Sequence, residues 1–414
     1  MTEKTNIVHN PLSQSNAAAS NSSLFNLLRH FCGSVVCLTL FALFLVEGVV
    51  ALARPLTQLN GTGLTSLSQY YVVSKLPQFL NSNSSPNVIM TGSSLFLHPA
   101  IRCDDRLNGR LTRYDALYIR DVIDPYISCE YLASLINKTT GKAVKVTNLA
   151  TAGALFSDQY MVFKKCLAKG KKPEVVVCDI SPRSFLDRNQ SELEKTPVYL
   201  VMANYLSLED LLEAKASLAS IMQSVVGSRW SYLRDRCEYR EVFENFACRI
   251  SNRPGDLFHA QQKGAENSKE EIPIIQPTAK DEAKSGPVYT PKPFDERDLN
   301  YYRKVYLPID WNMYGKEMEF LRLYLAMAEA KKISVVMVQM PIPQANRALL
   351  PEDLIEKYTS DVAELAKRYK ATLVEPAKSA QYGSSDFEDN AHLNAEGGEK
   401  LFKAIEPAIS AGLN

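Results

Sequence analysis

Five short apolar runs constrain this chain more than anything else in it: residues 87–91, 143–149, 173–180, 334–340 and 371–375. Each is released into turn residues, and segments of helical length lie between them. Runs without polar alternation suit strands buried on both faces, and strands alternating with helices specify a parallel sheet covered on both sides. Right-handed crossovers leave little choice of topology. The consequence is positional: whatever follows a strand collects at the carboxyl edge of the sheet, where open α/β folds bind ligands. Ser94, Gly153, Ser181, Pro341 and the loop Asp389 to His392 are therefore expected along one edge.

The helices expected are 127–137, 157–167, 206–226, 315–331, 351–369 and 395–409, with Asn394 capping the last. The stretch between the first strand and residue 127 reads as irregular.

Ahead of this pattern residues 1–23 are polar, residues 1–30 are read as a disordered cytoplasmic tail, and an apolar segment follows over 31–53. That segment is long enough to cross a bilayer as a helix, so the chain is expected to be a single-pass protein of the cell membrane with its folded part outside the cytoplasm. The competing reading is a cleaved signal peptide, since Ala51-Leu52-Ala53 has the small-x-small pattern of a cleavage site. Residues 54–86 read as a stalk with one helical piece, and 87–414 as the domain. A large insertion interrupts the domain at about 186–310, and its polar section 252–298 is expected to be mobile. The aromatic, charged segment 228–250 could dock a partner.

A net charge of +1 gives no footprint for nucleic acid, and no phosphate-binding glycine loop is present. Of eight cysteines, six lie outside the apolar segment, with no spacing that suggests zinc or redox chemistry. Cys237 and Cys248 are the pair to test for a disulfide, whereas Cys178 sits inside a strand and is expected to be buried. No metal or other cofactor is expected.

The chemistry expected at the edge is nucleophilic. Ser94 ends the turn Gly92-Ser93-Ser94, and a serine reacts only if a base reaches it. His392 is the best candidate, because Asp389 three residues earlier can hold its ring in the required tautomer. His98, four residues past Ser94, is too close in the chain to reach across the crevice as the base, and His259 lies in the polar insertion. For the oxyanion, the N–H groups of Ser94 and Gly153 are candidates, with Ser181 or Arg183 as a third. Each piece has an ordinary reading too: Gly-Ser-Ser is a common turn, Gly153 a turn glycine, and Ser181-Pro182-Arg183 a strand terminator.

Taken together, Gly92-Ser93-Ser94 after the first strand, Asn148 to Gly153 after the second and Asp389-x-x-His392 before the last helix resemble blocks one, two and five of the SGNH (GDSL-like) hydrolase superfamily. The resemblance implies a three-layer α/β/α, flavodoxin-like sandwich with Ser94 as nucleophile, Gly153 at the oxyanion, and Asp389 and His392 as acid and base. The Gly-Ser-Ser form, the single anchor and the strand end Val338-Gln339-Met340-Pro341 look most like the membrane-anchored branch. That branch includes the D-alanine transfer protein and polysaccharide O-acetylation accessory proteins. It implies an esterase or acyltransferase working beside a multi-spanning membrane O-acyltransferase, on glycan or cell-wall polymer. One departure stands out: the third block, Gly-x-Asn-Asp, is replaced by Asp179-Ile180-Ser181-Pro182-Arg183. The alternative function is a catalytically silent scaffold or polysaccharide-binding partner of the same membrane enzyme.

Overall fold

The computed structural model describes residues 35–53, 76, 79–109, 127–190, 196, 207–213, 218, 221–222 and 296–413. Helix α1, Val35–Ala53, lies inside the segment expected to span the membrane, and its large apolar side chains from Leu38 to Val49 are exposed. Among the described residues no helix is long and apolar enough to cross a membrane.

The domain then alternates strand and helix. Strand β1 (Val88–Thr91) leads to α2 (Ser94–Leu107) and α3 (Glu130–Thr140), and β2 (Val146–Asn148) leads to α4 (Phe156–Ala168). Strand β3 (Val175–Ile180) is followed by the insertion, which ends with α5 (Glu296–Tyr306), and then by α6 (Trp311–Ala330). Strand β4 (Ser334–Gln339), α7 (Glu352–Arg368), β5 (Thr372–Val374) and α8 (Ala395–Gly412) complete the chain. All pairings are parallel and the order is β2-β1-β3-β4-β5. The order reverses between β1 and β3, and a crevice opens at the carboxyl end of such a switch point.

Side chains of the strands divide by period two between two cores. Ile89, Val176, Cys178 and Met337 pack under α4, α6 and α7, while Met90, Val177, Val336 and Val338 pack under α2, α3 and α8. This is the α/β fold expected from the apolar runs, with helices on both faces.

Three differences from the sequence reading have physical causes. The stretch after β1 is a helix. Pro99 sits inside α2, and every residue from Ser94 to Asp105 is buried, so no polar face marks a helical period. Gly398 of α8 packs closely against this stretch: a Cβ there would stand 3.0 Å from Pro99 Cβ and 2.8 Å from Cys103 Sγ. Second, the end of the stalk belongs to the domain, since Leu76, Phe79 and Leu80 are buried in the core beside α4 and α6. Third, the insertion is partly core: Leu211 and, on α5, Val305 and Tyr306 are buried there too. Most of the expected stalk helix, the segments 228–250 and 252–295, and Cys237 with Cys248 lie outside the described residues. Cys103, Cys129, Cys166 and Cys178 are unbridged and buried.

Candidate active site

β1 delivers the chain to Gly92 and α2 begins two residues later. At Gly92 a side chain is excluded by close packing, because a Cβ would lie 2.9 Å from Phe96 Cδ2 and 3.0 Å from the Asp179 carboxyl. Ser93 caps α2 by accepting from Leu95 N at 3.2 Å, which leaves Ser94 as the first helical residue. The N–H of a first-turn residue has no acceptor within its own helix, and the helix dipole there favours negative charge.

The opposite side of the crevice is the loop before α8. Ser94 Oγ and His392 Nε2 are 2.8 Å apart, and His392 Nδ1 stands 2.7 and 3.0 Å from the two Asp389 oxygens. With Nδ1–H donating to Asp389, Nε2 is left to accept the Ser94 proton. Asp389 is itself fixed, accepting from the backbone N–H groups of Ala391 and His392 at 2.8 and 2.7 Å. Burial alone would raise the Asp389 carboxyl, but the adjacent His392 and these N–H donors outweigh it and hold the group well below the usual carboxylate range.

Ser94, His392, Ser181 and Arg183 line one narrow cleft with Tyr302, Tyr306 and Asn346; its volume is about 10 Å³, room for about one water. Arg183 Nη2 donates to Asp187 at 2.8 Å, whereas its buried Nε has no hydrogen-bond partner among the described residues. Ser181 Oγ lies 3.0 Å from Ser184 Oγ. Gly153, in the next loop along the edge, has φ +79 and stands outside that lining. Its loop is tied to the nucleophile turn by Thr151 N donating to Gly92 O at 2.8 Å.

Several residues at the site escaped sequence reasoning. Tyr302 and Tyr306 come from the insertion, and the only signal for them was the aromatic cluster 301–306. Asn346, just past β4, receives a hydrogen bond from Tyr306 Oη at 3.0 Å and donates to Asn390 O at 2.9 Å, so it braces the loop bearing His392. Asp179 stands where the third block was missed and binds Ser93. His98, set aside as a base, packs its ring flat on that of His392, with centroids 3.9 Å apart and planes inclined by 15°.

A five-stranded parallel sheet in this order, with serine after β1 and the Asp-x-x-His pair before the last helix, makes the chain an α/β protein with a Ser-His-Asp arrangement at the carboxyl edge of its sheet. More specifically, the chain belongs to the family described as a protein of unknown function (DUF1574), whose model matches residues 129–405 and so takes in Asp389 and His392 but begins beyond Ser94. No curated protein matches the chain in sequence. Among solved structures it is similar to a GDSL-like lipase from Bacteroides thetaiotaomicron, at 10% identity and TM-score 0.34 over 83% of this chain and 98% of that one. It is also similar to an acetylxylan esterase from Geobacillus stearothermophilus, at 10% identity and TM-score 0.35 over 79% and 95%. Likeness at that level decides nothing about substrate.

Proposed function

We propose that the chain is a serine esterase or O-acyltransferase, anchored by α1 with its domain outside the cytoplasm, that acts on acylated glycan or cell-envelope polymer. The observation that carries this reading is the continuous chain of hydrogen bonds from Ser94 through His392 to Asp389. His392 takes the Ser94 proton as Oγ attacks the ester carbonyl. The tetrahedral oxyanion is met by the N–H of Ser94 at the head of α2 and by the N–H of Gly153. The leaving alcohol departs with the proton from His392. Water or a glycan hydroxyl then attacks the acyl group on Ser94, gives its proton to His392 and frees the serine. The narrow cleft favours small acyl groups, with Ser181 and Arg183 beside the substrate. The apolar composition of α1 supports an anchor, and a multi-spanning membrane acyltransferase is the partner that such placement suits.

The test is hydrolysis of p-nitrophenyl acetate by the full-length protein in detergent, beside Ser94→Ala and His392→Ala. Turnover by the parent and its loss in both variants supports the reading. An inert parent whose Ser94 is not labelled by a fluorophosphonate defeats it.

A further inference from the structure

One stripe of α2 meets the segment 388–399 turn by turn. Ser94, His98, Arg102 and Arg106 recur every four residues, a spacing that places them on one face of a helix. Ser94 meets His392. His98 Nδ1 meets Glu388 Oε1, and Arg102 Nε donates to the other Glu388 oxygen at 2.6 Å. Arg106 pairs with Glu396 and Glu399. The middle two contacts are secluded: His98, Arg102 and Glu388 are 1%, 3% and 1% exposed.

Glu388 immediately precedes Asp389, and its backbone N–H donates to His392 O at 2.8 Å. Fixing the Glu388 side chain therefore fixes the turn that presents both Asp389 and His392. Over that turn, the His98 ring covers one face of the His392 ring, which bars rotation of the imidazole away from Ser94. The charges are arranged to permit the stack. Arg102 balances Glu388, so His98 can stay neutral and donate Nδ1–H to it. Burial first, and then the neighbouring His392, lower the His98 pKa. Two imidazolium rings at this separation would repel, whereas a neutral ring leaves His392 able to accept the Ser94 proton.

We propose that His98 is a positioning residue, an aromatic platform held by Glu388 and Arg102 that keeps His392 aimed at Ser94. This rests on His392 acting as the base in the reading above. Three variants separate the parts. His98→Phe keeps the flat ring and drops the hydrogen bond to Glu388; His98→Asn keeps an N–H near Nδ1 and removes the ring; His98→Ala removes both.

The full-length protein and each variant are assayed on p-nitrophenyl acetate. The Asn and Ala variants are expected to lose about 10- to 100-fold in kcat with KM unchanged, and the Phe variant, which keeps the ring over His392 but leaves one Glu388 oxygen without its partner, to lose clearly less than Ala. Parent-like kcat in His98→Asn, or a Phe variant as slow as Ala, overturns the platform. A second readout does not depend on turnover: the ring ¹H–¹⁵N signals of His392 should broaden in the Ala and Asn variants and stay sharp in Phe. Equal sharpness in all three overturns the proposal, while a parent that is inert to the ester, together with the expected broadening in the Ala and Asn variants, overturns only the hydrolytic reading.

Discussion

Both donors of Ser93, its backbone N–H and its hydroxyl, converge on one oxygen of Asp179, at 2.7 and 2.6 Å. The other Asp179 oxygen accepts from Gln159 Nε2 at 2.7 Å. A fully buried carboxylate on β3 thus holds the turn that presents Ser94 on α2. Burial raises its pKa, and these hydrogen bonds oppose the rise. Asp179→Asn must place an NH2 group against either Ser93 or Gln159, leaving buried donors unsatisfied. We expect a loss of about 2–4 kcal/mol by urea unfolding, and slower labelling of Ser94 by a fluorophosphonate.

The Asp389 contact sets the tautomer of His392, so the order of severity among triad variants is informative. Ser94→Ala should abolish acyl-enzyme formation outright. Asp389→Asn keeps the shape but can turn an N–H toward His392 Nδ1, with an expected loss of about 10³- to 10⁴-fold in kcat at unchanged KM. Steady-state kinetics on p-nitrophenyl acetate, with intact folding checked by circular dichroism, decides this. An Asn variant with parent-like kcat would remove Asp389 from the mechanism.

How much of this was written in the chain differs from element to element. β3 was legible to within two residues, expected over 173–180 and observed at Val175–Ile180, because a short and nearly continuous apolar run bounded by turn residues suits a buried strand at that length. The pairing of Ser94 with His392 was legible because parallel topology sends both to one edge, although 298 positions separate them. The helix α2 was not, since its proline and its burial on every side erase the amphipathic signal. His98 was misjudged for a related reason. Nearness in sequence forbids reaching across a crevice, but with α2 recognised, spacing four places His98 beside Ser94 on the same face. The tyrosines of α5 could not be placed, because nothing local to 301–306 says which surface the end of a long insertion returns to.

The crossing of α2 and α8 carries both Ser94 and the loop before α8, so its packing should matter to stability and activity together. At Gly398 a Cβ would meet Cys103 Sγ at 2.8 Å, Pro99 Cβ at 3.0 Å and Pro99 O at 3.1 Å. Backbone and proline ring cannot move aside cheaply. Gly398→Ala is expected to cost about 1–3 kcal/mol and to lower kcat by separating the two helices, whereas Gly315→Ala on α6, where nothing lies within 4 Å, should be neutral or slightly stabilising. Paired urea titrations and ester assays test the contrast.

A pH dependence of stability should come from behind the site, at the start of α4. Asp158 accepts from Leu155 N at 2.8 Å and Glu317 of α6 accepts from Ser157 N at 2.7 Å, and both carboxyls are buried. Burial, the dominant cause, pushes each pKa up to about 7, and the Asp158 charge adds to the rise at Glu317. A carboxyl whose pKa is raised by folding is bound to its proton more tightly in the folded state. Its contribution is therefore complete below the unfolded pKa, near 4, and is lost as pH climbs through about 7. The parent should be more stable at pH 5 than at pH 8, by a difference on the order of 3 kcal/mol from these groups. Glu317→Gln, neutral at every pH, should flatten that slope and be relatively more stable than the parent at pH 8. Urea midpoints for both proteins at the two pH values decide it: parallel slopes would mean that the buried carboxyls do not titrate in this range.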